Sequence, residues 1–241
     1  MADWSTLSDA CGSAGHVPAL LDQFDADPRG VWSELMDHLC PQLDTAFSAS
    51  FAALPRLAAL ASSCGPQDRR WVLLAAGAIM ACAPSGDDVF KVFSAPIAHL
   101  HRVTDQFLRE IGDAENYVYL LQSLLSFEGV EIWDRCLEGL RTGEYEVECP
   151  HCGVNMFIVI GEDECFSASD DYSLREVEKV PLQPTASEDL EGLAKRLHDR
   201  TLADGQQLVA RRLPYLFGRA ACPDCGTVFP VADRVTANWT P

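Results

Sequence analysis

Gly143-Glu144-Tyr145-Glu146-Val147-Glu148-Cys149-Pro150-His151-Cys152-Gly153 is where the chain changes character. Upstream, apolar residues recur at helical spacing. Here charged and apolar residues alternate, the period-two pattern of a strand, and the strand runs into a C-P-x-C-G motif. The motif returns as Cys222-Pro223-Asp224-Cys225-Gly226. In such a knuckle the two-residue gap lets both sulfurs reach one metal, and the glycine after the second cysteine supplies the positive φ that closes the turn. Two knuckles bring four sulfurs, the closed tetrahedral shell of a structural zinc site. The expectation is one structural Zn²⁺ per chain, held by Cys149, Cys152, Cys222 and Cys225, and no catalytic residues are assigned.

The gap between Cys152 and Cys222 is 69 residues, against the roughly 15–20 usual between such pairs. Two doublings of loop length add only about 1.2 kcal/mol of closure entropy, whereas structural zinc in small peptides contributes on the order of 10–16 kcal/mol. The metal wins. Redox chemistry is the rival reading of Cys149-Pro150-His151-Cys152, because a disulfide oxidase of thioredoxin fold has the same four letters. There the first cysteine stands at a helix N-terminus, which lowers its pKa. Here Gly153 and a β-prone run follow, and redox chemistry leaves the second motif unexplained.

Composition narrows the class. Eighteen Lys and Arg against 36 Asp and Glu give a net charge of −18. Such a field repels phosphate backbones, so no nucleic-acid partner is expected; it suits solubility or steering toward a basic partner. Ten cysteines in 241 residues fall well below the ~8–10% of a disulfide scaffold. Six of them, Cys11, Cys40, Cys64, Cys82, Cys136 and Cys165, stand singly in apolar or helical surroundings and read as small hydrophobes. Met1-Ala2-Asp3-Trp4 has neither the basic nor the apolar region of a signal peptide, and the longest apolar run, Trp71 to Ala83, is too short to span a bilayer. A cytoplasmic location without membrane contact is expected.

The expected fold class is mainly α. Residues 1–143 form a helical domain, a HEAT-like array or an irregular bundle, and residues 144–241 a small α+β zinc-ribbon module with a helical insertion at about 186–218. Val17, Leu20, Leu21 and Phe24 make one apolar stripe. Pro28 suits the first turn of a second helix, carrying Trp32, Leu35, Met36 and Leu39. Phe47, Phe51, Leu54 and Leu57 make a third, which Pro55 bends or splits. Trp71 to Cys82 is apolar nearly all round, a buried central helix. Pro84–Asp88 reads as a loop, followed by helices over roughly 95–111 and 115–140, the latter divided at Gly129. Beyond the first strand, Val154 to Ile160 is a second, Gly161 to Asp171 an acidic loop and Val180 to Pro184 an extended linker. Ser187 opens a helix with Leu190, Leu193 and Leu197 on one side, Asp204-Gly205 interrupts it, and Gln206 to Leu216 resumes it.

Other candidates have plain readings. His99 and His101 stand about 200° apart round a helix and cannot grip one metal. His151 faces solvent, and His38 and His198 are helix-surface residues. The carboxylates of 162–164 and 170–171 are a solvated acidic loop. Arg211-Arg212 is too small a basic spot for nucleic acid. Nucleophile elbows, phosphate loops and H-E-x-x-H are lacking.

Ala52-Ala53-Leu54-Pro55-Arg56-Leu57, set within the helical stretches from Val17 to Ala61, resembles a segment of bacterial HEAT-like helical-repeat proteins of about this size. Some of these carry a C-terminal split zinc ribbon approached by a stretch like Leu216-Phe217-Gly218. The resemblance implies a non-catalytic scaffold, in some cases an immunity protein that binds and blocks a toxin. The expected function is a non-catalytic, immunity- or scaffold-like module that binds a basic protein partner. The alternatives are an enzyme or accessory subunit with a pocket between helical body and ribbon, and a C-x-x-C redox protein.

Overall fold

In the computed structural model, which describes residues 2–83, 88–174 and 176–237, the chain is mainly helical with a few small antiparallel sheets. It divides into two compact units, Met1–Glu110 with Tyr119–Asp134, and Ile111–Val118 with Arg135–Pro241.

The first unit opens on a hairpin of β1 (Ser8–Asp9) and β2 (Gly12–Ser13). α1 (Val17–Ala26) buries Val17, Leu20, Leu21 and Phe24, the stripe visible in the sequence. Asp27 then ends one helix and caps the next, α2 (Pro28–Leu39): its carboxylate accepts the Gly30 N–H at 2.9 Å, and Pro28 occupies a first turn that needs no donor. Replacing Asp27 by alanine is expected to cost about 1 kcal/mol, read as a lower urea midpoint at unchanged slope.

α3 (Ser48–Ser63) runs through Pro55 and is not split by it. Pro55 lies on the exposed side, where the carbonyl deprived of its donor has water at hand. α4 (Pro66–Ala81) buries Val72, Leu73, Ala75, Ala76, Ile79 and Met80, as the unbroken apolar run requires. The loop expected at Pro84–Asp88 lies, except for Asp88, outside the described residues. α5 (Val89–Val92) and α6 (Ser94–Leu108) follow, and α7 (Ala114–Glu128) stops before Gly129. Within this unit α1 packs on α2, α3 on α4, α2 on α4, and α3 on α6. Two cysteines expected to stand singly are neighbours here: Cys40 and Cys82 bring their sulfurs to 3.2 Å, with Cys40 buried. Cys11, also expected in an apolar setting, is exposed in the β1–β2 turn.

After α8 (Trp133–Cys136), α9 (Gly139–Thr142) leads into an antiparallel sheet ordered β3 (Glu144–Glu148), β4 (Asn155–Ile160), β5 (Cys165–Ala168), β6 (Val180–Pro181). Val147 pairs with Met156, and Val159 with Phe166. Two segments differ from the sequence reading. The acidic loop at 161–171 contains β5, and the linker at 180–184 contributes β6. Phe166 and Ala168 are buried against Val159, with Phe157 and Tyr172 packed beside them, so apolar contact overrides the polar flanks. Ser187–Asp189 makes only a 3₁₀ turn, and the helix proper, α10 (Gly192–Ala203), starts later. α11 (Gln207–Leu216), β7 (Arg219–Ala221), β8 (Val228–Pro230) and α12 (Val231–Ala237) complete the unit.

The boundary read at 143/144 falls inside this second unit. Arg212, read as part of a basic spot, is buried and donates from Nη1 to the Leu140 carbonyl at 2.6 Å, which ties α9 to α11. Residues 111–118 are held the same way: Gln206 Nε2 donates to the Ile111 carbonyl at 2.6 Å, and the Tyr117 hydroxyl to Asp204 at 2.9 Å. Burial and the adjoining Asp204 carboxylate push the Tyr117 hydroxyl well above its ordinary pKa, which keeps it a donor.

Candidate metal centre

β3 delivers Cys149, and the chain then turns back within five residues. Cys149 N–H donates to the Val154 carbonyl at 2.9 Å, Gly153 N–H to the Cys149 carbonyl at 3.1 Å, and Gly153 has φ +75°. β7 delivers Cys222 into the same turn: Cys222 N–H to Thr227 at 2.9 Å, Gly226 N–H to Cys222 at 2.9 Å, and φ +71° at Gly226. The two glycines occupy the left-handed conformation the motif needs.

The long excursion between the knuckles is closed by protein contacts. Gln183 and Arg219 exchange backbone hydrogen bonds at 2.9 and 2.8 Å, and Ser167 Oγ donates to the Ala221 carbonyl at 2.7 Å. Thr185 Oγ1 reaches the Phe217 carbonyl at 2.6 Å. Gly218 sits where a Cβ would come within 2.3 Å of the Gln183 carbonyl oxygen. These contacts lay β7 along β6, and Arg234 of α12 donates to the Glu148 carbonyl at 3.0 Å beside the first knuckle.

The four sulfurs expected from the sequence are together. All lie within 4.8 Å of one another, and the contacts cross between knuckles: Cys149 to Cys225 at 3.7 Å, Cys152 to Cys222 at 3.7 Å. In each knuckle the first cysteine is buried and the second exposed. The backbone amides of His151 and Cys152 face the Cys149 sulfur, and those of Asp224 and Cys225 face Cys222. Burial nevertheless pushes Cys222 up to about 12, while the Thr227 hydroxyl and amide bring Cys225 down to about 6. Four sulfurs this close cannot all ionise without a cation among them. The cluster can therefore bind a metal ion, trading thiol protons for it.

The remaining candidates separate. His151 is exposed. His99 Nε2 pairs with Ser62 Oγ at 2.5 Å and His101 Nε2 with Glu128 at 3.1 Å, so each has its own partner. Glu162 and Asp163 are exposed, and Glu164 pairs with Lys179 at 2.6 Å. Two histidines are not helix-surface residues. His198 is buried at 8% exposure, because Leu197 and Thr201 carry that face of α10 inward. His38 turns from α2 to Asp9, which the chain reaches through an N-terminal hairpin with no periodic pattern to announce it. Protein-family models, curated proteins and solved structures were all compared with this chain, and none matched.

Proposed function

We propose that the chain is a non-catalytic protein-binding module, scaffold- or immunity-like, with one structural zinc ion on Cys149, Cys152, Cys222 and Cys225. For the metal, the carrying observation is the sulfur spacing. At a Zn–S bond of about 2.3 Å, a tetrahedron has edges of about 3.8 Å; two of the inter-knuckle contacts are 3.7 Å, and all four sulfurs lie within 4.8 Å of one another. A pair of exposed and a pair of buried sulfurs, each held by amides of its own turn, suits a closed site without an open coordination position.

For the partner, the carrying observation is the charge of −18, which favours a basic protein and disfavours nucleic acid. Consecutive helix pairs in the first unit, α1 with α2 and α3 with α4, suit a HEAT-like array that presents such a surface, in the cytoplasm. Immobilised full-length protein incubated with native lysate at low salt is expected to retain a basic protein that elutes as ionic strength rises toward 1 M, where the Debye length falls to about 3 Å. Retention of nothing, or of partners indifferent to salt, contradicts the reading.

One observation favours an enzymatic alternative: a cavity of about 470 Å³ in the second unit, lined by Glu162, Asp163, Cys165, His198, Arg211 and Arg212 among others. Burial, however, pushes the Cys165 thiol above its ordinary value, away from the thiolate a nucleophile needs.

A further inference from the structure

Asp9, at the end of β1, has a carboxylate wholly withdrawn from solvent. Its Oδ1 accepts the backbone N–H of Cys11 at 2.9 Å, which fixes the carboxylate plane and leaves Oδ2 for other partners. Two imidazoles meet that one oxygen. His38 Nδ1, from the last turn of α2, stands 2.8 Å away, and His16 Nε2, just ahead of α1, stands 3.1 Å away. The two nitrogens are themselves 3.1 Å apart.

In every proton arrangement one edge of this triangle is left without a hydrogen bond. If both nitrogens carry hydrogen and donate to Oδ2, two N–H groups converge on each other. If one nitrogen is bare, its lone pair faces the carboxylate lone pairs at hydrogen-bond distance without a proton between. A cation seated over the triangle satisfies all three atoms at once. The edge lengths fit one: at bonds of about 2.1 Å, donors at right angles stand about 3.0 Å apart and donors at the tetrahedral angle about 3.4 Å. The observed edges of 2.8, 3.1 and 3.1 Å match donors on one face of an octahedron.

We infer that Asp9, His16 and His38 form a second metal site, for a divalent first-row transition ion with water in its remaining positions. Two imidazoles and one carboxylate are the donor set such ions accept, and three protein ligands leave coordination positions open. His16 is 45% exposed, so the open side faces solvent and admits water or a small anionic ligand. Backbone contacts hold the three donors in place: Ala10 N–H donates to the His38 carbonyl at 3.0 Å, joining the hairpin tip to the end of α2, and Ala14 N–H donates to the Leu7 carbonyl at 3.0 Å, closing the segment that carries His16. No residue is shared with the cysteine cluster. That cluster, closed and all-sulfur, would hold its metal for structure, whereas this one can exchange ligands.

The test is a titration of the full chain with Co²⁺ after one equivalent of Zn²⁺ has been added, followed by visible absorption and metal counting after gel filtration. Expected is a saturable further equivalent of cobalt showing weak ligand-field bands without sulfur-to-cobalt charge transfer. In His16→Ala and Asp9→Asn its dissociation constant should rise beyond the ~10–100-fold that outer-shell changes cost, with the zinc retained. His16 is partly exposed and Asp9→Asn keeps the side chain's shape, so circular dichroism of both should match the parent. Charge-transfer bands would place the cobalt on thiolates and overturn the inference. So would no saturation up to millimolar cobalt, or binding unchanged in His16→Ala.

Discussion

Replacing Cys222 by serine is expected to abolish tight metal binding and to destabilise the second unit by at least about 4 kcal/mol, the linkage value for a ligand present at 1,000 times its dissociation constant. Cys222 is 1% exposed, with its sulfur 3.7 Å from that of Cys152. A serine hydroxyl in its place does not ionise at neutral pH and is too hard a donor to stand in a thiolate shell. The three remaining sulfurs then keep their protons or repel one another. Hydrogen exchange across β3, β4, β7 and β8 measures the loss locally, and a chelator added to the parent protein should reproduce it. An unchanged exchange pattern in both experiments would mean that the sulfurs carry no metal of structural weight.

Gly218→Ala is expected to lower stability by about 2–3 kcal/mol or more. Where alanine fits, removing a glycine's freedom in the unfolded chain gains about 0.4–1 kcal/mol. It does not fit here: the new Cβ would lie 2.3 Å from the Gln183 carbonyl oxygen, 2.8 Å from that of Pro214 and 3.0 Å from Pro184 Cα. All three are backbone atoms with no rotamer to retreat into. The collision strikes the Gln183–Arg219 bridge, which carries β7 and so Cys222. Metal affinity should therefore fall together with the urea midpoint. A variant with the parent's midpoint and metal affinity would show that β7 is positioned by something other than this close approach.

The parts of the molecule legible in the sequence are those whose signal is local. Each knuckle contains its own geometry, two cysteines and a glycine within five residues, and so can be recognised without knowing what lies between. The helices of the first unit announce themselves through repeated apolar spacing, as with Val17, Leu20, Leu21 and Phe24. What escaped depends on partners far along the chain. β5 is four residues among acidic neighbours, and its pairing with β4 and β6 makes Cys165–Ala168 a strand. Arg212 looks like surface charge until the Leu140 carbonyl is beside it. Asp9, His16 and His38 fall on a hairpin, a turn and a helix end, and no spacing rule joins them. His198 reads as a surface residue beside Asp199, yet it shares the inward face of α10 with Leu197 and Thr201.

Zinc K-edge X-ray absorption on the full chain carrying a single equivalent of zinc reads the ion's neighbours without reference to the fold. Four sulfur scatterers at about 2.3 Å are expected, since four thiolates offer zinc a fuller and softer shell than Asp9, His16 and His38 do. A shell of nitrogen and oxygen, or a sample that releases its zinc on simple dialysis, would contradict the assignment of Cys149, Cys152, Cys222 and Cys225 as its ligands.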